Sequence, residues 1–236
     1  QSQPIAQALT RTQQRIEDAC KTSDRSSGEV MLLAVSKTKP LSDVLEAYDH
    51  GQRQFGENYL QDALDKIEHC PHEDIQWHFI GAIQSNKCKT IATQFDWVHT
   101  LDREKIARRL SKYRPPNLAP LKVLIQINIS NEANKSGVSL DQLHQLVEQI
   151  VPLPNIILCG LMCIPAAGES EAIQRQTFKK MADARDLLRQ TYPQIQHLSM
   201  GMSGDLACAI ASGSTMVRIG TDIFGARNTP TPSLQQ

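Results

Sequence analysis

The residue best placed for chemistry is Lys37, which follows an apolar run that begins at Val30. Alternate side chains of a β-strand share one face, so Lys37 is expected to point the same way as Met31, Leu33 and Val35. Burial lowers the pKa of an amine, and a neutral amine is a nucleophile toward aldehydes. Lys37 is therefore a candidate nucleophile; the alternative is a lysine that reaches out to solvent at a strand end.

Two glycine-containing segments near the C-terminus are suited to bind an anion. The first, residues 199–205, has the sequence SMGMSGD, in which Gly204 lets the backbone approach a ligand and Ser203 can donate its hydroxyl. The second, residues 218–221, has the sequence RIGT and offers backbone N–H groups and a threonine hydroxyl. Together they predict a phosphate site.

A reactive amine opposite a phosphate site indicates a phosphorylated aldehyde. Pyridoxal phosphate fits, because the lysine would form an aldimine and the glycine-containing segments would hold the phosphate. If Arg218 faces the pyridine nitrogen, its fixed positive charge keeps that nitrogen unprotonated, and the ring is then a poorer electron sink. The residues therefore predict cofactor binding without facile carbanion chemistry of the aminotransferase kind.

The elements that would position these residues alternate between strand and helix. An N-terminal helix is predicted from the spacing of Ile5, Leu9, Ile16 and Cys20. Strands are predicted near residues 30–37, 54–57, 75–80, 97–101, 122–129, 156–164, 197–200 and 215–219. Helices are predicted near residues 41–50, 58–69, 85–94, 103–113, 140–150, 170–191 and 204–212, with a short helix after Thr221. The sequence therefore contains eight strand–helix units.

Eight such units predict an α/β fold, a closed (β/α)8 TIM barrel with an extra N-terminal helix. Its site would lie at the C-terminal strand ends, with phosphate after strands seven and eight. An open doubly wound sheet is the alternative, but it predicts a glycine-rich turn where residues 37–40 have KTKP. Residues 1–236 are expected to form one domain, of which about 228–236 form a flexible tail.

Composition argues against several classes of partner. Lys and Arg balance Asp and Glu at 25 each, so nothing indicates a nucleic-acid partner. The basic stretch at residues 103–114 has apolar residues at helical spacing, which favours a solvated helix face over a binding patch. No segment approaches the roughly 18 apolar residues of a membrane span, and the N-terminus has no signal pattern. We therefore expect neither nucleic acid nor a membrane as a partner.

The six cysteines are scattered and form no C-x-x-C pair. Several lie in apolar periodic runs, which favours buried free thiols over disulfides and indicates a reducing, cytoplasmic location. Residues 69–72, with the sequence HCPH, have no second ligand pair nearby, so no metal site is expected.

Seven stretches, in order along nearly the whole chain, carry a resemblance to a known family. The chain resembles the pyridoxal phosphate homeostasis proteins, which are relatives of the alanine racemase N-terminal domain. The matching stretches are LLAVSKTKP at 32–40, FGENY at 55–59, WHFIGAIQSNK at 77–87, INISNEANKSG at 127–137, GLMCIP at 160–165, LSMGMSGD at 198–205 and GSTMVRIGTDIFGAR at 213–227. The resemblance implies a monomeric barrel of alanine-racemase type that binds pyridoxal 5'-phosphate.

The family's motifs imply roles for individual residues. Lys37 would be the aldimine lysine, and Arg218 would meet the pyridine nitrogen. The phosphate would be held by the residues of the two glycine-containing segments: Ser203, Gly220 and Thr221, with Gly204 and Ser199 as additions.

Four further residues complete the implied site. Asn58 and His78 would line the cofactor face, although a hydrogen-bonded histidine inside the barrel is an equal alternative for His78. Met200 would pack beneath the ring. Asp222 stands where many relatives carry a small apolar residue, which is a departure from the family pattern.

The resemblance leaves a choice between a carrier and a catalyst. A pyridoxal racemase needs acid/base groups on both faces of the substrate carbon, and one of them comes from a second, all-β domain in alanine racemase-like enzymes. This chain is expected to lack that domain, and its tyrosines fall on predicted helices or their starts: Tyr48, Tyr59, Tyr113 and Tyr192.

We therefore expect a non-enzymatic protein that buffers the cofactor or delivers it to transient apo-enzyme acceptors. Any effect on amino-acid or keto-acid metabolism would then be indirect. The alternatives are a pyridoxal-dependent amino-acid racemase-like enzyme and a cofactor-free Schiff-base aldolase on the same barrel.

Overall fold

A computed structural model of the protein describes residues 4–226, in which eight parallel strands close into a barrel in chain order. The strands are β1 (Met31–Val35), β2 (Gln54–Glu57), β3 (Gln76–Phe79), β4 (Trp97–Leu101), β5 (Leu121–Ile127), β6 (Ile156–Cys163), β7 (His197–Ser199) and β8 (Met216–Ile219). The barrel closes through the pairing of β1 with β8, in which Leu33 lies opposite Arg218. The predicted (β/α)8 barrel is therefore confirmed and the open sheet is excluded.

Nine α-helices and two short 3-10 helices complete the described part of the chain. The α-helices are α1 (Pro4–Thr22), α2 (Leu41–Asp49), α3 (Leu60–His69), α4 (Cys88–Gln94), α5 (Glu104–Tyr113), α6 (Leu140–Ile150), α7 (Glu171–Thr191), α8 (Leu206–Ala211) and α9 (Thr221–Phe224). The 3-10 helices are Ser27–Glu29 and Ser85–Lys87. Serine hydroxyls cap α6 and α7, at Ser139 and Ser170, because a hydroxyl can accept a bond from an otherwise unpaired N–H of the first turn.

The extra N-terminal helix is present and packs on the outside of the barrel. Ile5, Leu9, Ile16 and Cys20 are buried, as their spacing predicts, against α2, α8 and α9. Helix α1 therefore covers the side of the barrel where the first and last strands meet.

Strand side chains alternate between two environments. Leu32 and Ala34 belong to the large core between the strands and the helices, together with Val217 and Ile219. A separate small cluster, formed by Trp97, Leu124, Cys159, Met162 and Met216, fills the inside of the barrel. This period of two fixes which residues can face a site at the barrel mouth.

The end of β1 differs from the prediction. The strand was expected to continue through Lys37, but it ends at Val35, and Lys37 lies in the turn that follows. Thr38 adopts a φ of 64°, which reverses the chain immediately after Lys37. Val35 and Lys37 nevertheless line the same cavity, as predicted, although Lys37 lies beyond the end of the strand.

Other sequence-based expectations can be compared with the described residues. All six cysteines are free thiols, four of them buried. Within residues 4–226, no helix is both long and apolar enough to cross a membrane. In the same range, no group of three or more His, Cys, Asp or Glu side chains could hold a metal ion. The predicted flexible tail lies outside the described residues, and the single-domain boundary stays a prediction.

Candidate cofactor site

A cavity of about 280 Å³ lies at the C-terminal ends of the strands. It is lined by residues from six of the strands or the loops after them: Val35, Lys37, Thr38, Lys39, Asn58, Ile80, Met162, Ile164, Met202, Arg218, Gly220, Thr221 and Gly225. Because β1 pairs with β8, the loops that follow these two strands lie next to each other at the mouth of the barrel. The barrel therefore brings together the ends of the sequence that carry the predicted chemistry.

Five residues singled out from the sequence line this cavity: Lys37, Asn58, Arg218, Gly220 and Thr221. Lys37 is partly buried, and no side chain or carbonyl within residues 4–226 accepts a hydrogen bond from its amine. The amine is thus available to a ligand in the cavity.

Arg218 is held rigidly at the base of the cavity. It is 5% exposed, and its Nη1 donates to Ser199 Oγ at 2.6 Å, while Nη2 donates to the carbonyl of Cys163 at 2.9 Å. Burial lowers the pKa of the guanidinium from its usual value, but a guanidinium titrates far above physiological pH and stays charged. A fixed positive charge therefore faces the cavity from β8.

A chain of buried hydrogen bonds continues from Arg218 across the barrel interior. Ser199 Oγ lies 2.9 Å from His99 Nδ1, His99 Nε2 lies 2.8 Å from His78 Nδ1, and His78 Nε2 lies 2.7 Å from Gln54 Oε1. Gln54 Oε1 can only accept, so His78 Nε2 donates to it. A neutral imidazole carries one N–H, so His78 Nδ1 accepts from His99 Nε2, and His99 Nδ1 accepts from the Ser199 hydroxyl, which itself accepts from Arg218. Every imidazole nitrogen is satisfied with both rings neutral.

These two histidines predict a specific dependence of stability on pH. Burial lowers the pKa of both His78 and His99 well below the usual value, assisted by nearby positive charge. Below about pH 6.5 the unfolded chain takes up protons that the folded protein does not, so the free energy of unfolding falls as the pH falls. We expect each ring to contribute up to about 1.4 kcal/mol per pH unit below that point, and nothing above it.

Urea denaturation of the ligand-free protein at pH 7.5, 6.5 and 5.5 would measure this slope. His99→Gln is the matched variant, because an amide can accept from Ser199 and donate to His78 without titrating. Its stability should fall less steeply with acid than that of the wild type. Buried groups outside the pair, such as Glu57, Asp96 and His197, contribute equally to both proteins. Parallel slopes would contradict the prediction.

His78 and Met200 do not line the cavity. His78 is fully buried in the hydrogen-bonded chain, which supports its alternative interpretation as an interior histidine. Met200 was expected beneath a ring, but it belongs to the core between strands and helices. The physical reason is strand parity: Ser199 points inward to Arg218, so the next residue points outward. Met202 lines the cavity instead.

Ser203 and Gly204 lie beside the cavity rather than on its lining. The Ser203 hydroxyl donates to the carboxylate of Asp222. Arg15 from α1 donates to the Ser203 carbonyl at 2.7 Å and contacts Asp222 at 3.3 Å. The residue that departs from the family pattern thus engages the hydroxyl that was predicted to bind phosphate.

Asn58 offers an unfilled acceptor. Within the described residues its buried Oδ1 has no hydrogen-bond partner, and a buried polar atom is costly unless a partner is supplied. Gly81 is packed so closely here that an added Cβ would lie 2.0 Å from the Asn58 carbonyl oxygen. The glycine of the sequence GAIQ therefore lets the loop after β3 pack against the backbone of Asn58.

The donor set fits pyridoxal phosphate. Lys37, Lys39 and Arg218 are basic side chains, and the cavity lining contains no carboxylate within the described range, which suits a ligand with a doubly charged phosphate. Gly220 and Thr221 open α9, where backbone N–H groups are unpaired. Lys37 supplies the amine for an aldehyde, and Asn58 the free acceptor.

Sequence reasoning missed the apolar part of the lining. Ile80, Met162, Ile164 and Met202 contribute to it, and Ile164 and Met202 are among the most exposed large apolar residues of the chain, at 43% and 50%. Exposed apolar side chains at the mouth of a cavity are typical of a small-molecule site. Each lies within three residues of the C-terminal end of a strand, so strand position is the signal that would have identified them.

Comparison with known proteins places these features in a family context. Residues 11–228 match the family model for the alanine racemase N-terminal domain. The chain is 53% identical over 228 residues to a pyridoxal phosphate homeostasis protein of Vibrio cholerae, covering 95% of this chain and 97% of the relative. It is 51% identical over 227 residues to the protein of that name from Escherichia coli K12, with coverage of 95% and 97%.

Two solved structures are also similar to this chain. PipY of Synechococcus elongatus with bound pyridoxal phosphate superposes with a TM-score of 0.81 at 32% identity, covering 94% of this chain and all of that one. An alanine racemase from Corynebacterium glutamicum superposes with a TM-score of 0.70 at 14% identity. It aligns with 96% of this chain and 63% of that one, a likeness that concerns the fold alone.

Proposed function

The chain belongs to the pyridoxal phosphate homeostasis protein family, and we propose on that premise that it binds pyridoxal 5'-phosphate and buffers or delivers it within the cell. The observation that carries the proposal is the convergence of the Lys37 amine, the Arg218 guanidinium and the start of α9 on one cavity. These three groups match the aldehyde, the ring nitrogen and the phosphate of the cofactor.

Each group has a defined task. The Lys37 amine would anchor the cofactor covalently by condensing with its aldehyde, with loss of the aldehyde oxygen as water. The N–H groups of Gly220 and Thr221, with the Thr221 hydroxyl, would hold the phosphate. Arg218 would donate a hydrogen bond to the pyridine nitrogen and, because its charge is fixed, would keep that nitrogen unprotonated. When bound, pyridoxal phosphate supplies an electron sink for chemistry at amino-acid α-carbons, and Arg218 weakens that capacity.

The cavity lining favours a carrier over a catalyst. Its described residues include no histidine, tyrosine or carboxylate, which leaves the amines of Lys37 and Lys39 as the candidate acid/base groups of the lining. Lys39 Nζ already donates to the carbonyl of Ala226 at 2.6 Å. A racemase needs a second acid/base group on the opposite face of the substrate carbon. We therefore infer a non-enzymatic role.

The proposal extends to the state and location of the protein. All eight strands pair within one chain, so the barrel is complete without a second copy, which supports a monomer. Six free thiols support a reducing compartment such as the cytoplasm. The exposed Ile164 and Met202 at the mouth leave the cofactor accessible for transfer to apo-enzymes.

Absorption spectroscopy with borohydride trapping tests the proposal. Pyridoxal phosphate should give the purified protein an absorption band that borohydride removes, and peptide mapping should then find the reduced adduct on Lys37. Deuterium exchange at the α-carbon of amino acids should not exceed the rate with free cofactor. Absence of any adduct would exclude cofactor binding through Lys37, and fast exchange would favour the racemase-like enzyme.

A further inference from the structure

The turn that carries Lys37 has a backbone conformation that its sequence does not favour. Thr38 has a φ of 64°, in the left-handed region that β-branched residues rarely adopt. Such conformations persist where the surrounding structure holds them, and they concentrate at functional sites. The residue next to the reactive amine is therefore held in place by contacts from outside the turn.

Those contacts come from β2 and α3, and they flank Lys37 on both sides. On one side, the Ser36 hydroxyl donates to the carboxylate of Glu57, and the Ser36 carbonyl accepts from Lys66 Nζ at 2.6 Å. On the other side, the N–H of Thr38 donates to Asp62 Oδ2 at 3.0 Å. The backbone before and after the amine is thus tied to one body of structure.

An ionic cluster joins these two anchors, with Lys66 and Glu57 buried and the Asp62 side chain 39% exposed. Lys66 Nζ lies 2.8 Å from Glu57 Oε2 and 3.1 Å from Asp62 Oδ2. The side chains of Lys66 and Glu57 are 4% and 0% exposed, and taking such charges out of water is expensive unless every group is paired. None of the three residues lines the cavity. Their contacts with the site run through Ser36 and Thr38.

Lys37 itself lacks any comparable restraint. Its amine has no hydrogen-bond or ion-pair partner among residues 4–226, so no polar contact in that range fixes its direction. The backbone on either side of it does. The position of the amine in the cavity therefore depends on the turn, and the turn depends on the cluster.

We propose that Asp62, Glu57 and Lys66 are positioning residues for the Lys37 amine, which hold the turn at residues 36–38 so that the amine meets an aldehyde in the cavity. The proposal rests on the proposed function, since it concerns the same amine. It predicts that loosening the turn slows covalent capture of the aldehyde and leaves the other contacts of the cofactor intact.

The experiment compares variants of Asp62 in two backgrounds, with Lys37 present and with Lys37→Ala, and measures affinity for pyridoxal phosphate in both. Asp62→Ala removes the acceptor for the Thr38 N–H, while Asp62→Asn keeps an acceptor there. Asp65→Ala is the matched control, an exposed acid on the same helix that does not contact the turn. Stopped-flow absorption gives the rate of adduct formation with pyridoxal phosphate, and quenching of tryptophan fluorescence gives non-covalent affinity in the Lys37→Ala background.

We expect Asp62→Ala to slow adduct formation about tenfold or more, because small displacements of a reacting group cost large factors in rate. Asp62→Asn and Asp65→Ala should stay within about twofold of wild type, and Asp62→Ala should change non-covalent affinity in the Lys37→Ala background by less than about twofold. Ser36→Ala, which removes the hydroxyl contact with Glu57 without altering a charge and keeps the carbonyl contact with Lys66, should also slow capture.

Unchanged capture rates in both Asp62→Ala and Ser36→Ala would overturn the proposal. An equal loss of affinity with and without Lys37 would also overturn it, because that pattern indicates general damage to the cavity. Both results differ from failure of the proposed function, in which the wild-type protein itself forms no adduct on Lys37.

Discussion

Replacement of Lys37 by alanine is expected to abolish the covalent adduct with pyridoxal phosphate completely. The proposed function makes this amine the nucleophile for the aldehyde, and the amine lines the same cavity as Gly220 and Thr221. The absorption band should disappear, and borohydride should leave no adduct for mass spectrometry to find. Weaker, non-covalent binding should persist, because Arg218 and the start of α9 remain.

Two further variants test whether the adduct requires the amine of Lys37 itself. One keeps the positive charge at position 37, and the other removes the nearby lysine. Lys37→Arg keeps a positive charge but offers no neutral amine, so it should also form no adduct. Lys39→Ala removes the other lysine of the cavity, whose amine is engaged by the carbonyl of Ala226, and its adduct should still map to residue 37. An adduct on Lys39 in the Lys37→Ala protein would contradict the assignment.

The barrel could be predicted from the sequence because its strands are buried on both faces. Such strands appear as continuous apolar runs, as in β5 and β6, and a helix pattern separates each from the next. Eight units then leave few topologies, and the barrel rule places Lys37 and Arg218 at one mouth. The placement of Lys37 and Arg218 at one end of the barrel therefore follows from the order of the elements alone.

The supporting interactions could not be predicted in this way. His99 lies 21 residues from His78 and 100 residues from Ser199, and no spacing in the chain links them. β7 has three residues, which is too short for a period of two to show that Ser199 points inward and Met200 outward. Contacts between distant residues become visible only when the barrel has closed.

The turn after β1 shows a second kind of limit. Local preferences oppose a left-handed threonine, so the residues near Thr38 predict a strand that continues through Lys37. The tertiary contacts from Asp62 override that preference. Sequence reasoning thus placed Lys37 at the cavity but did not predict the backbone that presents its amine, and the two are specified by different parts of the chain.

The cluster beneath that turn leads to the second prediction, a large loss of stability in Lys66→Met. Methionine fills a similar volume but leaves the Glu57 carboxylate, 0% exposed, without its cation. Breaking a buried ion pair on one side is expected to lower the free energy of unfolding by about 3–5 kcal/mol. Urea denaturation of the ligand-free protein at pH 8 measures the change.

A double variant and a second pH make this expectation specific to the buried charge. Glu57→Gln combined with Lys66→Met leaves no buried ion, so it should be much more stable than Lys66→Met alone.

Burial already raises the pKa of Glu57 against the opposing effect of Lys66, and loss of Lys66 raises it further. In folded Lys66→Met the Glu57 carboxyl then keeps a proton that it releases in the unfolded chain above about pH 4.5. The free energy of unfolding of this variant therefore falls as the pH rises toward the pKa of Glu57 in the folded state. The loss in Lys66→Met should therefore be smaller at pH 5 than at pH 8. Equal losses at both pH values, or a double variant no more stable than the single one, would show that packing around Lys66 and not its charge supports the turn.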